Sequence, residues 1–225
     1  MGTRSAEPHP KMNQITLEQT LPRVFVSEKI PASDVWQSSL TFERGGYYLV
    51  EAASGGGKSS MCAYIFGART DYEGRILFDG RDTRKLNIAE WQEIRRRHLA
   101  YLPQELSLFP ELSAWDNIQL KNRLTNYASD KMIMAWMERL GVDSRRDYPA
   151  GRLSIGQQQR VAIIRSICQP FDFLMLDEPV SHLDETNNRI AAELITEEAA
   201  RQGAGIISTS VGNHISLDYT YRLKL

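Results

Sequence analysis

A glycine-rich segment that ends in Lys-Ser follows an apolar run and constrains the fold more than any other part of the chain. The segment at residues 54–60 reads SGGGKSS, and the apolar run YYLV occupies residues 47–50. Glycines let backbone N–H groups converge on phosphate oxygens at the start of a helix, while a lysine ammonium bridges phosphates and a serine hydroxyl ligates Mg²⁺. The pattern therefore predicts a strand, a phosphate-binding loop and a helix over residues 61–66, and it indicates nucleotide binding.

Ala52 stands where comparable phosphate-binding loops begin with glycine. Alanine does not easily adopt a positive φ, but it adds no charge, so we expect a slightly altered turn and a retained site. Within the loop, Lys58 is the expected phosphate-bridging cation and Ser59 the expected metal ligand. The residues predicted to contact the nucleotide here are Ala52, Ala53, Ser54, Gly55, Gly56, Gly57, Lys58, Ser59 and Ser60.

The composition indicates a globular chain in a reducing compartment. The 225 residues, of which 42% are hydrophobic, suffice for a substantial core, and the net charge of -1 gives no electrostatic reason to expect a nucleic-acid partner. With two cysteines, Cys62 and Cys168, we do not expect a disulfide. Since the sequence shows neither a bilayer-spanning run nor a signal peptide, we expect a cytoplasmic or peripherally docked protein.

The hydrophobic pattern predicts a single domain over residues 12–225. Residues 1–11 are polar and contain prolines, and we expect them to be a disordered extension or a tag. Alternating apolar residues predict antiparallel strands at 14–18 and 24–26, ahead of the phosphate loop. Elsewhere strands alternate with helices, apart from a helical subdomain expected at about 105–165. The alternation predicts an α/β fold with a mostly parallel sheet.

Two acids follow a second apolar run. Residues 173–179 read FLMLDEP, which predicts a buried strand that ends at Asp177 and Glu178. Open α/β sheets bind their ligands at the carboxyl ends of the strands, where the phosphate loop is also expected. Asp177 is therefore the predicted holder of Mg²⁺. Glu178 is the predicted group that polarises the attacking water and takes its proton.

Further motifs occur in order along the chain. Residues 101–104 read YLPQ, residues 153–160 read LSIGQQQR, and residues 181–184 read SHLD. Together with the phosphate loop and the two acids, they resemble the glutamine loop, the LSGGQ signature and the domain-crossing loop of ATP-binding-cassette (ABC) proteins. The resemblance extends over nearly the whole chain from Met12. It implies a P-loop NTPase core with a parallel sheet, a small antiparallel β-layer and a helical subdomain.

The resemblance also implies the ligands and roles of the site. ATP and Mg²⁺ are the expected cofactors, and Glu178, Lys58 and Gln104 are expected to act on the reacting phosphate. Ser59, Gln104 and Asp177 are expected to hold the metal. In this family a second ABC subunit binds head to tail, so that the signature of one copy closes over ATP held by the other. The residues expected at the nucleotide from this side are Ser154, Gly156, Gln157 and Asp184.

Two aromatic or apolar segments have alternative interpretations. Phe25 stands about where the family places an aromatic that stacks on adenine, although packing in the sheet core is an equally good interpretation. Residues 102–124 resemble the segment of lipoprotein-release and macrolide-export ATPases that contacts a transmembrane permease. This implies a transport subunit at the inner face of the cell membrane, whereas Phe109, Trp115 and Leu120 would also pack inside any helical subdomain.

Two more positions depart from the family pattern. Ile155 replaces a glycine of the signature, and we expect reduced affinity but a retained site. Ser210 stands where a histidine normally follows the strand at 205–208 and contacts the γ-phosphate, so we expect slower hydrolysis. His214 would reach the site if the loop after Gly212 folded back, but a surface position in a polar loop is the better interpretation.

Three functions are compatible with these residues. The first is the energy-coupling ATPase subunit of a transporter. The second is a soluble ABC switch in assembly, repair or translation, although the coiled-coil, zinc or tandem-cassette insertions common in such proteins are not visible in the sequence. The third is the ATP-binding half of a heterodimer whose partner supplies the histidine.

Overall fold

The computed structural model of the protein describes residues 10–27 and 32–225, which form one parallel and one antiparallel sheet with helices around them. The strands are β1 (Gln14–Pro22), β2 (Ser39–Glu43), β3 (Tyr47–Glu51), β4 (Tyr72–Phe78), β5 (Arg81–Asp82), β6 (Leu99–Leu102), β7 (Phe173–Asp177), β8 (Gly205–Ser210) and β9 (Tyr221–Lys224). The helices are α1 (Lys58–Ile65), α2 (Ile88–Arg97), α3 (Ala114–Asn122), α4 (Asp130–Arg139), α5 (Ile155–Ile167) and α6 (Glu185–Gln202). The predicted α/β class is confirmed.

The larger sheet is parallel and has the strand order β6-β7-β8-β3-β9. β8 therefore lies between β3, which leads into the phosphate loop, and β7, which ends at Asp177. In the register of the sheet, Thr209 of β8 pairs with Val50 on one side and with Asp177 on the other. Because parallel strands end at the same edge, this order places the end of β8 between the loop and the two acids.

The central strands of the parallel sheet, β7 and β8, are buried on both faces, whereas the edge strand β9 is mostly exposed. Every residue of β7 is buried, and successive side chains join different core clusters. Leu174 and Leu176 pack with the helices that follow β6, whereas Phe173 and Met175 pack with α1 and the antiparallel sheet. This alternation is the period of two expected of a strand, and it fixes which side chains reach each face.

The smaller sheet has the order β2-β1-β4-β5 and is antiparallel. The predicted strand at 24–26 is wrong, because the chain forms a short 3-10 helix at Arg23–Phe25 after β1 ends at Pro22. The amide of Val26 donates to the carbonyl of Arg23, which closes this turn. Val24 is 57% exposed, so the alternation of apolar and polar residues here does not reflect a buried strand face.

Helices fill the chain between β6 and β7. Ser113 begins α3, as predicted, because its Oγ accepts a hydrogen bond from the amide of Asp116 at 3.0 Å. Gly141 follows α4 with a φ of +61°, a conformation that glycine adopts without strain. α3 and α4 pack on α5, whereas the boundaries of a subdomain at 105–165 stay a prediction. Within the described ranges, no helix is both long and apolar enough to cross a bilayer.

The prediction of an extension at 1–11 falls largely outside the described residues. At the end of that segment, Lys11 Nζ lies 3.3 Å from Asp172 Oδ1. The amide of Met12 donates to Asp172 Oδ2 at 2.8 Å, and His98 Nδ1 contacts the same oxygen at 2.6 Å. Burial by itself would raise the pKa of Asp172, but the hydrogen bonds from His98 and Met12 bring it below its usual value. These contacts attach the chain near residue 12 to the start of β7.

Candidate nucleotide-binding site

The phosphate loop ends in a helix whose first amides have no side-chain cap. α1 begins at Lys58, and its N-cap is Gly57, which has a φ of +93° and no side chain to accept hydrogen bonds. Gly55 also has a positive φ of +84°. Side chains on L-residues disfavour this conformation, so glycine at both positions lets the backbone turn. The free N–H groups at the start of α1 can therefore bind an anion.

Lys58 lies across the loop and is only 5% exposed. Its Nζ donates to the carbonyl oxygens of Ala52 and Ala53, each at 3.1 Å, and lies 3.6 Å from Glu178 Oε1. An ammonium group is a compact charge with three donors. Lys58 can therefore exchange bonds to the loop carbonyls for bonds to phosphate oxygens without leaving its place.

Ala52 is accommodated because its backbone is not in the left-handed region that would require glycine. Its amide donates to the carbonyl of Ser210 at 3.3 Å, which continues the pairing of β3 with β8. A Cβ added at Gly56 would lie 2.9 Å from the Ala52 Cβ. The methyl group of Ala52 thus occupies the space beside Gly56, and the two positions are sterically coupled.

Two aromatic rings lie against the last glycine of the loop. A Cβ at Gly57 would lie 3.0 Å from Trp36 Cζ2 and 3.2 Å from Phe25 Cε2. Trp36 is buried, and its Nε1 donates to the carbonyl of Gly56 at 3.1 Å. Phe25 is half-buried beside it and packs against the core cluster. Trp36 carries no local sequence signal of this role, because the role depends on a contact with a loop 20 residues away.

The two acids end β7 beside the phosphate loop. Asp177 is 1% exposed, and its Oδ1 accepts a hydrogen bond from Thr209 Oγ1 at 2.6 Å. Glu178 has a φ of +50°, and its amide donates to the same Thr209 oxygen at 3.2 Å. Thr209 is not among the residues predicted for the site, although its place at the end of the strand, directly before Ser210, is a usable signal.

Gln104 connects the helix of the phosphate loop to Glu178. Its Nε2 donates to Glu178 Oε2 at 3.4 Å, and its Oε1 accepts from Ser59 Oγ at 3.4 Å. Lys58 contacts the other carboxylate oxygen of Glu178. The structure therefore brings Lys58, Ser59, Gln104 and Glu178 together in one polar network beside Asp177.

The residues at this point fit a magnesium ion. Asp177 Oδ2 is buried and has no hydrogen-bond partner, so one carboxylate oxygen remains available. The Ser59 hydroxyl and the Gln104 side-chain oxygen are close by in the same network. Mg²⁺ prefers hard oxygen ligands and often keeps several waters, so a carboxylate, a hydroxyl and an amide oxygen are an appropriate donor set.

Ser210 stands at the end of β8 and directs its side chain back to the following loop. It belongs to β8, which extends beyond the predicted end at 208, and its Oγ donates to the carbonyl of Asn213 at 2.8 Å. His214 is half-buried, its Nδ1 lies 3.0 Å from the carbonyl oxygen of Ile215, and its ring packs edge-on against Tyr219. The His214 ring therefore makes contacts within its own loop, and its carbonyl oxygen accepts a hydrogen bond from Asn188 of α6 at 3.1 Å.

The signature residues form the start of α5. Ser154 Oγ accepts from the amide of Gln157 at 3.3 Å, and Gln157 Oε1 accepts from the amide of Ser154 at 3.0 Å, so the pair is a capping box. A Cβ at Gly156 would lie 3.0 Å from the carbonyl oxygen of His182, which explains its glycine. Ile155 is 48% exposed.

Asp184 caps the next helix, α6. Its Oδ1 accepts from the amide of Asn187 at 2.8 Å, and hydrogen bonds from the Asn187 amide and side chain lower the pKa of Asp184. Across the described part of the chain, no hydrogen bond or ion pair joins Asp184 or the signature residues to the phosphate loop. Within this chain, these predicted nucleotide contacts are therefore not bonded to the site that holds Lys58.

These features define a P-loop nucleotide-binding protein of the α/β class, in which a glycine loop and two acids meet at the ends of neighbouring parallel strands. The family described as ABC transporter matches residues 35–181. The chain belongs to this family, and the resemblance inferred from its motifs is confirmed.

Curated relatives support the same assignment. CcmA of Haemophilus influenzae, a cytochrome c biogenesis ATP-binding export protein, is 31% identical over 170 residues, covering 75% of this chain and 77% of that protein. LolD of Shewanella denitrificans, a lipoprotein-releasing system ATP-binding protein, is 28% identical over 204 residues, covering 88% and 86%. MacB of Shewanella sp. (strain ANA-3), a macrolide export ATP-binding/permease protein, is 29% identical over 184 residues; the chain spans only 27% of that relative.

Solved structures show the same fold. The dimeric structure of the bacterial ABC transporter cassette MJ0796 superposes with a TM-score of 0.74 at 23% identity and covers 87% of each chain. A second structure of that cassette, in a post-hydrolysis state with ADP and Pi, has a TM-score of 0.72 at 23% identity and covers 88% of each chain. These comparisons confirm the predicted ABC cassette architecture.

Proposed function

We propose that this chain binds and hydrolyses Mg-ATP and couples that cycle to a separate transmembrane permease. The polar network around Glu178 carries this proposal. Glu178 lies 3.6 Å from Lys58 Nζ and 3.4 Å from Gln104 Nε2, and Gln104 contacts Ser59 of the phosphate-loop helix. A carboxylate in this position lies beside the expected γ-phosphate and can accept a proton from an attacking water.

Different residues of the site would carry out different parts of the hydrolysis reaction. The loop amides and Lys58 hold the phosphates, and Lys58 balances the negative charge that spreads over the γ-phosphate. Glu178 accepts a proton from water, and Gln104 orients Glu178 through its amide. When bound, Mg²⁺ supplies further charge neutralisation at the phosphate oxygens, and Asp177, Ser59 and Gln104 are the residues that would hold it.

We further propose that a second ABC subunit completes the site. Ser154, Gly156 and Gln157 lie at the start of α5, where backbone amides and the helix dipole favour an anion. These residues make no polar bond to the phosphate loop within the described chain. The start of α5 would therefore bind the phosphates of ATP that is held by the phosphate loop of a neighbouring copy. Asp184 would lie near the same interface. The dimeric structure of the related cassette MJ0796 supports this arrangement.

Ser210 favours slow hydrolysis or a heterodimer. Its hydroxyl is committed to the Asn213 carbonyl, so it does not replace a histidine at the γ-phosphate. We therefore propose a modest ATPase, with a partner subunit that carries the histidine as the second candidate. A soluble ABC switch is the less favoured alternative, because the curated relatives CcmA, LolD and MacB are export or release proteins.

A groove between α1, β6, α3 and α5 supports coupling to a permease. It encloses about 420 Å³, and its apolar lining includes Phe109 and Leu120, which are 55% and 44% exposed. Its charged lining residues in the described structure are Lys121 and Arg165, both cations. An apolar permease segment with an acidic residue would match this lining, and such a contact would hold the chain peripherally at the inner face of the cell membrane.

The decisive experiment compares phosphate release by the purified chain alone and with the products of neighbouring genes. We expect slow Mg²⁺-dependent turnover alone, faster turnover with a membrane partner, and loss of turnover in Glu178→Gln. Glu138→Gln, which neutralises an exposed glutamate on α4, is the matched control and should behave like the wild type. Turnover that survives Glu178→Gln would refute the hydrolytic proposal, and acceleration only by another ABC subunit would favour the heterodimer.

A further inference from the structure

A single buried hydroxyl contacts both acids of the site. Thr209 Oγ1 donates to Asp177 Oδ1 at 2.6 Å and accepts from the amide of Glu178 at 3.2 Å. An amide N–H can only donate, and an ionised carboxylate can only accept. The hydroxyl hydrogen must therefore point at Asp177, while a lone pair of the hydroxyl oxygen accepts the hydrogen bond from the Glu178 amide. The orientation of the hydroxyl is determined by its two partners.

The first bond fixes the carboxylate of Asp177. Because Thr209 holds Oδ1, the rotation of the carboxylate is restricted and Oδ2 lies on the other side, buried and without a hydrogen-bond partner. An unpartnered buried oxygen is costly unless a ligand satisfies it. Thr209 thus leaves one Asp177 oxygen available at the place where a metal and its waters would lie.

The second bond fixes the backbone that carries Glu178. Glu178 has a φ of +50°, which is sparsely populated by residues other than glycine and persists only where surrounding contacts hold it. The Thr209 oxygen holds the amide of this residue. The side chain leaves that backbone toward Lys58 and Gln104. A different φ would move the carboxylate away from both.

The strand order explains why Thr209 has this place. β8 lies between β3 and β7, and Thr209 pairs with Asp177 in the parallel register. The next residue, Ser210, directs its hydroxyl to the Asn213 carbonyl instead. Thr209 is 0% exposed, so water does not compete for its hydroxyl.

We propose that Thr209 is a positioning residue for ATP hydrolysis, whose hydroxyl sets the Asp177 carboxylate for the metal and the Glu178 backbone for the attacking water. This inference rests on the proposed ATPase function. In this proposal, β8 aligns the two acids through Thr209, whereas the hydroxyl of the next residue, Ser210, bonds to Asn213 instead.

The test replaces Thr209 with valine, which keeps the branched shape but removes the hydroxyl, and with serine, which keeps the hydroxyl. We expect Thr209→Val to lower kcat by about tenfold to a hundredfold and to raise the Mg²⁺ concentration for half-maximal effect by about tenfold. Binding of a fluorescent ATP analogue in the presence of EDTA should be unchanged, whereas the Mg²⁺-dependent gain in its affinity should fall. Thr209→Ser should keep both kcat and the Mg²⁺ dependence close to those of the wild type.

Ser208→Ala is the matched control, since it removes a hydroxyl from the same strand on the opposite face. It should retain the wild-type Mg²⁺ dependence. Thr209→Ala gives the same comparison if the valine variant does not fold, as judged by thermal unfolding. If the wild type is active and both Thr209→Val and Thr209→Ala keep its Mg²⁺ dependence, the proposed role of Thr209 is overturned. Losses of kcat and Mg²⁺ dependence in Thr209→Ser as large as those in Thr209→Val would also overturn it. An inactive wild type that does not bind ATP would instead overturn the proposed function.

Discussion

Arg165 on α5 donates through Nη1 to the carbonyl oxygen of Ser107 at 2.6 Å and also through Nη2 to that of Leu106. Leu106 and Ser107 have φ values of +58° and +49°, so two consecutive residues after Gln104 lie in the left-handed region. Such strain persists only where other contacts offset it. Arg165 therefore links the helical part of the chain to the turn that follows Gln104, and burial lowers the pKa of its guanidinium.

Replacing Arg165 with methionine should uncouple this turn from α5. Methionine keeps an apolar stem but removes the donor of both carbonyls. Because Ser107 is exposed and water can replace the donor there, the expected loss is about 1 kcal/mol. We expect faster amide hydrogen exchange at residues 104–108 and a severalfold lower kcat, with ATP affinity nearly unchanged. The exposed Arg152→Met is the control. Unchanged exchange in the Arg165 variant would contradict the link.

Alanine at the two left-handed glycines of the phosphate loop should have unequal effects. A methyl group at Gly55 would meet open space, whereas a methyl group at Gly57 would press on Trp36 and Phe25 at 3.0 and 3.2 Å. Gly55→Ala should cost only the strain of a positive φ, about 1 kcal/mol. Gly57→Ala should add steric overlap, and we expect at least a roughly tenfold further loss of ATP affinity by fluorescence titration. Equal losses in the two variants would show that the rings do not constrain the loop.

Introducing histidine at Ser210 should accelerate hydrolysis. The serine hydroxyl is bonded to Asn213, while a histidine at the end of β8 is expected to extend toward the γ-phosphate. We expect an increase in kcat of about a hundredfold, at the lower end of what a positioned acid–base side chain provides. Ser210→Ala should change kcat less than about twofold, since the present hydroxyl serves only the loop. A histidine variant that folds and is no faster would count against the explanation of slow turnover.

Lys121→Met should stabilise the isolated chain in a pH-dependent manner. Burial, together with repulsion from Arg165, lowers the pKa of Lys121 to about 8. Since the unfolded-state pKa is about 10.4, the folded chain binds fewer protons between these values, so wild-type stability rises with pH there. The methionine variant should gain about 1 kcal/mol, or about 2–4 °C in Tm, below pH 8.

This advantage should decline as the pH rises from about 8 and vanish above about 10.4, which thermal scans at several pH values would reveal. Lys131→Met, at an exposed position on α4, is the control. If the groove accepts an acidic permease segment, Lys121→Met should also weaken that association in co-purification. A stability gain that is independent of pH would rule out the buried charge as its cause.

Local sequence determined much of this protein. The glycine run with Lys58, the acids after an apolar strand and the capping serines act through backbone conformation and neighbouring amides, so a short window contains the relevant physics. The same windows predicted the phosphate-loop helix and the start of α3. They misassigned residues 24–26, because exposed valines there alternate without a sheet to pair with.

Only the tertiary structure decided which residues act together. Thr209 reaches Asp177 because β8 lies between β3 and β7, and Trp36 reaches Gly56 because the chain before β2 folds against the loop. Ser154 and Asp184 proved to cap their own helices, away from the bonds around Lys58. Strand order and long-range packing depend on burying the whole chain at once, so local residue patterns cannot specify these contacts.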